Sequence, residues 1–332
     1  MRNLVVLFAA LAVGCGSGSP KTPGDGGTVG GGGGGSGGGS WLVAADGAIA
    51  QTSDATHFVS APSPTSEDLF ALVCSGGASG WQAGLGWAVG ARGTVVATRD
   101  NGAHWETQSA PTQASLRTVA FANPGFGIAA GDSGTLLRTL DGGYHWAPIA
   151  LPTSGAIFSS AISTDTATVW LAGEGGIFRS IDGGLTFRAV TTSARGALRA
   201  VRFAEDGQHG FAIGDGGAVL TSRDAGASWT ALGAAPSDLR GLTLSADGRR
   251  VIAVGASGLV WRSTDGGATF ARAQTPGPSS AALLAVGFTH ADENLGWAVG
   301  EEGLVLVTFN GGQTFAKAAS SLSGTLFSVE DL

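Results

Sequence analysis

The sequence predicts an all-β chain folded as a seven-bladed β-propeller, and three observations carry that prediction. The first is a recurring phrase, Ser/Thr-x-Asp-x-Gly-x-Thr/Ser/His-Trp/Phe. It reads TRDNGAHW at 98–105, TLDGGYHW at 139–146, SIDGGLTF at 180–187, SRDAGASW at 222–229 and STDGGATF at 263–270, with TFNGGQTF at 308–315 carrying Asn310 for the aspartate. A shortened copy, TSDATHF, stands at 52–58. From Asp54 through Asp100, Asp141, Asp182, Asp224 and Asp265 to Asn310 the steps are 41–46 residues, the length of one four-stranded blade. The second observation is composition: 58 Gly, 9 Trp, 1 Met and only 13% charged residues among 332. Abundant Gly and short apolar runs suit strands and tight turns rather than helices. The third is that the repeats at the two ends of the domain are incomplete in complementary ways.

Each repeat supplies four strands in a fixed order. In residues 116–150, LRTVAFA, FGIAAG, TLLRT and WAPIA read as successive strands, with the DGGYH turn before the last. The second strand ends at a Gly-x-x-Gly turn, Gly131 to Gly134. The same turn recurs at Gly90–Gly93, Gly173–Gly176, Gly214–Gly217, Gly255–Gly258 and Gly300–Gly303. Such turns need positive φ, which Gly adopts without a Cβ clash. The first repeat begins at Trp41 (WLVAAD) with no innermost strand before it, while Leu326 to Val329 form a surplus strand at the other end. The last strand is therefore expected to complete the first blade, closing the ring and removing its free edges.

The segment before the propeller reads as targeting and tether. Arg2 precedes an apolar run from Leu4 to Val13, too short for the roughly 20 residues that span a bilayer. Leu11, Ala12, Val13, Gly14 and Cys15 follow and resemble a bacterial lipobox, in which Cys15 is lipidated and becomes the mature N-terminus. Residues 16–40 are a Gly/Ser-rich stretch that behaves as a flexible coil with a reach of roughly 25–30 Å. The expected organisation is a signal peptide at 1–14, a lipidated cysteine and tether at 15–40, and the propeller at 41–332. Several acyl chains on one cysteine anchor stably, and Gly16 after the cysteine favours the outer membrane, facing the periplasm or the surface. With Cys15 carrying lipid, Cys74 has no partner, so no disulfide is expected.

The phrase itself is identified with the Asp-box, or bacterial neuraminidase, repeat. The longer pattern L-x-x-V-x-F … W-A-V-G-x-x-G … R-T-x-D-G-G-x-x-W is similar to the photosystem II assembly and stability factor family of propellers across residues 69–332. That resemblance implies a non-catalytic binding or assembly scaffold with a protein partner in the cell envelope. In the family, grouped arginines on the propeller are implicated in partner binding. Arg117, Arg199 and Arg240 stand at the start of the innermost strand in three blades; Phe70, Phe158, Leu284 and Phe327 stand there in the others. The competing reading is a carbohydrate-active Asp-box protein, either sialidase-like or another glycosidase, or a glycan-binding module.

The residues themselves give little for catalysis. Asp100, Asp141, Asp182, Asp224 and Asp265, with Asn310, lie one blade apart around the ring, so no two can share a substrate bond; bracing of turns is their expected role. A sialidase needs a tyrosine nucleophile, and the single tyrosine, Tyr144, falls inside one of these turns. No pair of carboxylates departs from the repeat to suggest a glycosidase, no catalytic residue is assigned, and no histidine spacing suggests a metal site; no cofactor is expected. A net charge of −7 argues against nucleic acid. On the opposite face, the Gly-x-x-Gly turns hold Asp46, Asp132, Glu174, Asp215, Glu301 and Glu302, interrupted by Arg92 and Ser257. They predict an acidic ring that serves either solubility or docking of a basic partner or cation.

Overall fold

The computed structural model describes residues 40–52, 56–74, 84–277, 279–289, 292–320, 322 and 324–330. Cys15 and the tether, together with Asp54 of the shortened repeat, lie outside the described residues. The chain forms seven sheets, each with four antiparallel strands at its centre, arranged as a seven-bladed propeller. Blade 3 is representative: Leu116–Phe121 is innermost, followed outward by Gly127–Gly131, Leu136–Thr139 and Ala147–Pro148. Among the described residues no helix is long and apolar enough to cross a membrane.

Blade 1 is assembled from both ends of the chain. Ser40–Ala44, Ile49–Thr52 and His57–Ala61 are its second to fourth strands, and Leu326–Glu330 is its innermost. Leu42 stands opposite Val329 and Val43 opposite Ser328 in an antiparallel ladder. The closing strand also packs against both neighbouring innermost strands, Leu283–Phe288 of blade 7 and Leu69–Cys74 of blade 2. A short strand, Ala319–Ser320, adds in parallel to the outer edge of blade 1.

The blades adhere through side chains that the repeat places in register. Trp87 of blade 2 stacks on Phe121 of blade 3 at 3.8 Å between ring centroids, and Trp170 of blade 4 stacks on Phe203 of blade 5 at the same distance. The Trp87 indole N–H donates to the carbonyl of Gly142 and that of Trp170 to the carbonyl of Ala225, so each indole also pins the next blade's outer turn. Stacked aromatic pairs of this kind add specific geometry to a large buried apolar area. Gly127 shows why the second strand opens on glycine. A Cβ there would come within 2.6 Å of the Phe121 ring.

Antiparallel blades put their turns on two opposite faces. The turns between the third and fourth strands carry the aspartates and define one face, hereafter the Asp-turn face. The turns between the second and third strands define the other, the Gly-turn face. Six of the seven Gly turns are single 3-10 turns whose middle residue sits in the left-handed region, at Asp46, Arg92, Ser133, Gly216, Ser257 and Glu302. Blade 4 departs from the sequence expectation of one common turn. There Gly173 pairs directly with Gly176 across a two-residue hairpin of Glu174 and Gly175, because Asp182 follows Gly173 by nine positions where Asp141 follows Gly131 by ten. The shorter turn does not sit down on the linker to the next blade, and a cavity of about 560 Å³ opens between Glu174 to Gly176 and residues 189–197.

Candidate functional site: the two turn faces and the bulge ring

The Asp-turn carboxylates are held by a repeated set of bonds. In blade 3 the Thr139 hydroxyl donates to Asp141 Oδ1 at 2.9 Å, and the Gly143 N–H donates to the Thr139 hydroxyl oxygen. The His145 N–H donates to the same carboxylate at 2.9 Å, and His145 Nδ1 lies 2.6 Å from Asp141 Oδ2. Asp100, Asp182, Asp224 and Asp265 accept the equivalent bonds in their own turns. Asn310 keeps the geometry by a change of donor: its Oδ1 accepts from the Thr314 N–H and its side-chain amide donates to the Thr314 hydroxyl. These side chains spend their oxygens within their own turns.

Those bonds make the turns sensitive to acid. The His145 backbone N–H, then the His145 ring, lower Asp141 to a pKa of about 2. The Ser228 and Thr269 hydroxyls, followed by the same residues' N–H groups, lower Asp224 and Asp265 to about 2. A depressed folded-state pKa contributes stability that is complete above the unfolded value near 4 and disappears as pH falls through the folded value. Melting temperature is therefore expected to drop between about pH 4 and pH 2, and an Asp141→Asn/Asp224→Asn/Asp265→Asn chain should show a shallower slope there. Identical slopes in the two chains would show that other carboxylates govern acid unfolding.

On the Gly-turn face the structure reorganises the expected acidic ring. Arg117 reaches Asp132 in a two-pronged ion pair, Nε to Oδ1 and Nη2 to Oδ2, both 2.7 Å. Arg199 grips Asp215 in the same way at 2.8 and 2.7 Å. Arg240 joins Asp215 at 3.2 Å to Asp238 at 3.1 Å. Burial, then the like charge of Arg199, hold the Arg240 guanidinium below its ordinary value. Glu174 and Glu301 accept from the backbone N–H groups of Ala156 and Ala282, while Asp46 and Glu302 are exposed. The backbone N–H of Asp46 donates to Asp68. The face thus combines acid–arginine pairs at Asp132 and Asp215, carboxylates bonded to backbone at Glu174 and Glu301, and the exposed Asp46 and Glu302.

One register feature puts the arginines where they are. In every blade the innermost strand is bulged against its neighbour at its second residue: Phe327, Phe70, Arg117, Phe158, Arg199, Arg240 and Leu284 in blades 1 to 7. Bulges re-aim a side chain, and these seven meet around the ring. Phe70, Leu284 and Phe327 form a buried apolar cluster. The Arg117 guanidinium lies 5.0 Å from the Phe70 ring centre and that of Arg199 4.3 Å from Phe158. The most accessible charged part of this ring is the network of Arg199, Arg240, Asp215 and Asp238 on blades 5 and 6, whose side chains are 14–40% exposed. Asp238 escaped the sequence reading because it sits in the linker, outside the Gly-x-x-Gly pattern. So did Arg202, which is buried in the innermost strand of blade 5 and donates to the Ser159 hydroxyl and the Val201 carbonyl. An arginine at an otherwise apolar strand position was its only signal.

Other chemistry is sparse among the described residues. No group of three His, Cys, Asp or Glu side chains is placed to hold a metal, and Cys74 is a buried free thiol.

Fold and turn pattern together define the class: a seven-bladed propeller of short sequence repeats, with an aspartate bracing the outer turn of each typical blade and a bulge ring on the opposite face. Within that class the chain resembles the photosystem II assembly factor family. Residues 78–209 match the family described as photosynthesis system II assembly factor YCF48. A structure of YCF48 bound to D1 peptide superposes with a TM-score of 0.59 at 21% identity, over 77% of this chain and 82% of that one. YCF48 from Cyanidioschyzon merolae gives 0.63 at 17% identity over 81% and 91%. The GH74 enzyme of Niastella koreensis gives 0.57 at 12% identity over 87% and 67%. A comparison with curated proteins finds no match.

Proposed function

We propose that the chain is a lipid-anchored, non-catalytic scaffold of the cell envelope that binds a protein partner through its Gly-turn face. The observation that carries this reading is the bulge ring, which holds Arg199 and Arg240 with Asp215 and Asp238 in one partly exposed network on blades 5 and 6. Two cations and two anions fixed in relative position discriminate among partners by charge arrangement rather than by net attraction. A related propeller with a bound peptide supports a protein segment as the kind of ligand. Lipidation of Cys15 and a place at the outer membrane rest on the sequence alone. The glycosidase alternative finds no support at Asp215 and Asp238, the acids that approach one another here, because Arg240 already lies between them.

The test is recovery of a cross-linked partner from membranes of cells expressing the full chain. Replacing Arg240 with Gln is expected to lower recovery about tenfold, the effect of losing one interfacial charge contact worth roughly 1.4 kcal/mol. The melting temperature should stay close to that of the parent. Equal recovery with both chains would remove the Gly-turn face as the binding surface. The intact mass of the chain purified from membranes reads the acyl group on Cys15 directly.

A further inference from the structure

The Asp-turn face carries a second departure from the repeat, one that its turn-bracing role leaves unexplained. Two of the three variable positions of the phrase are the residue before Asp and the residue third after it. In blades 2, 5 and 6 they hold Arg99 and Ala103, Arg223 and Ala227, Thr264 and Ala268, and the turns form normally. In blades 3 and 4, which are adjacent, they hold Leu140 and Tyr144, Ile181 and Leu185. All four side chains are more than half exposed, as is Phe309 at the first of these positions in blade 7. Among the described residues only two other large apolar side chains are exposed, Val59 and Leu232, and both lie on outermost strands at the rim. Among the described residues the Gly-turn face has none. Exposed apolar side chains collected on one side of a molecule mark a contact surface.

The chain enters the fold on this same side. Ser40–Ala44 runs toward the Gly-turn face, where it ends in the Ala45–Gly47 turn, so its first residue lies at the Asp-turn end. Trp41 confirms the level: a Cβ on Gly102, in the Asp turn of blade 2, would come within 2.1 Å of its ring. The tether of 16–40 therefore leaves from the face that bears the apolar sector. With an r.m.s. reach of roughly 25–30 Å, such a coil holds the face it leaves from nearer the lipid, on average, than the opposite face.

We infer that the Asp-turn face rests on the lipid bilayer, with Leu140, Tyr144, Ile181, Leu185 and Phe309 entering the headgroup region and the bulge ring turned away toward the aqueous side. The inference deepens the lipid-anchored reading and rests on it. Arg99 lies over the Tyr144 ring at 4.2 Å, an amphipathic pair of the kind that sits at headgroup depth. The favoured surface is zwitterionic. Asp100, Asp141, Asp182, Asp224 and Asp265 stand on this face, stay ionised and outnumber Arg99 and Arg223 of the same turns, so anionic lipid repels it.

The test couples the full chain through Cys15 to a maleimide phospholipid in phosphatidylethanolamine/phosphatidylcholine vesicles, which makes the result independent of whether Cys15 is acylated in the cell. Cys74 is buried and stays unreacted. Hydroxyl-radical footprinting is then compared on and off the vesicle. Leu140, Tyr144, Ile181, Leu185 and Phe309 are expected to lose reactivity at least about threefold, while Val59 and Leu232 change little. Replacing part of the lipid with phosphatidylglycerol should reduce the protection, and the Leu140→Ser/Ile181→Ser/Leu185→Ser chain should restore Tyr144 to the reactivity of the free protein. Uniform reactivity, protection centred on Val59 and Leu232, protection that grows with phosphatidylglycerol, or protection that survives the triple substitution would each overturn the inference.

Discussion

A chain ending at Ser323 is expected to lose its cooperative melting transition altogether. The missing strand, Leu326–Glu330, is the innermost strand of blade 1 and the contact between blades 7 and 2. Leu326 and Val329 are fully buried and Phe327 is 7% exposed, with its ring edge-on to Phe70 at 5.3 Å. Three large apolar side chains at roughly 1.5–3 kcal/mol each amount to about 5–9 kcal/mol. That is of the order of the whole stability of a domain. The loss also uncovers one edge of Ser40–Ala44, whose other edge stays paired with Ile49–Thr52, and the donors and acceptors on the freed edge become a template for association with other chains. Circular dichroism during heating reads the result. A truncated chain with the parent's melting curve would show that the ring does not depend on its last strand.

The second large effect is at Asp132. Its removal leaves the Arg117 guanidinium, 8% exposed, without either of its two charge-assisted bonds. Arg117 Nη1 already has no hydrogen-bond partner, so the residual donors have nowhere to turn. Removing one member of a buried pair costs about 3–5 kcal/mol, and the partial exposure of Asp132 places Asp132→Ala at about 2–4 kcal/mol by the same reasoning. An Asp132→Ala/Arg117→Met chain should recover most of that loss, since methionine fills the volume beside Phe70 without a charge. Chemical denaturation of the four chains of the cycle measures it. If the double variant is as unstable as Asp132→Ala, the pair is not what the site depends on. The same geometry warns that reversing Asp132 or Asp215 to test binding also destabilises the fold, whereas Arg240→Gln leaves the Arg199–Asp215 pair intact.

Most of the architecture was legible because the propeller is periodic. A phrase every 41–46 residues marks the blades, and a surplus strand facing a missing one marks the closure. The site was legible only in part. The position shared by Arg117, Arg199, Arg240 and the four apolar residues stands out once the repeats are aligned, but the bulge at that position leaves no sequence mark. Charge pairing was hidden for a physical reason: Asp132 and Asp215 lie about 15 residues from their arginines along the chain and meet only across the sheet. The blade 4 turn was visible as a missing residue, yet its Gly-x-x-Gly spacing imitates the others. The apolar sector on the Asp-turn face was written plainly at Leu140, Tyr144, Ile181 and Leu185; the strong phrase around them drew attention to the aspartates instead.

Closure by the final strand also orders events in time. Among the described strands Leu326–Glu330 leaves the ribosome last and its partner Ser40–Ala44 first. Six blades can assemble from neighbouring sequence while the seventh sheet waits for a pairing between opposite ends of the chain, a contact of the highest separation and therefore slow to form. Until then the ring is an open arc with two unpaired edges. The rate-limiting step of folding is expected to be this one docking event, and a chain interrupted at any earlier codon never reaches it.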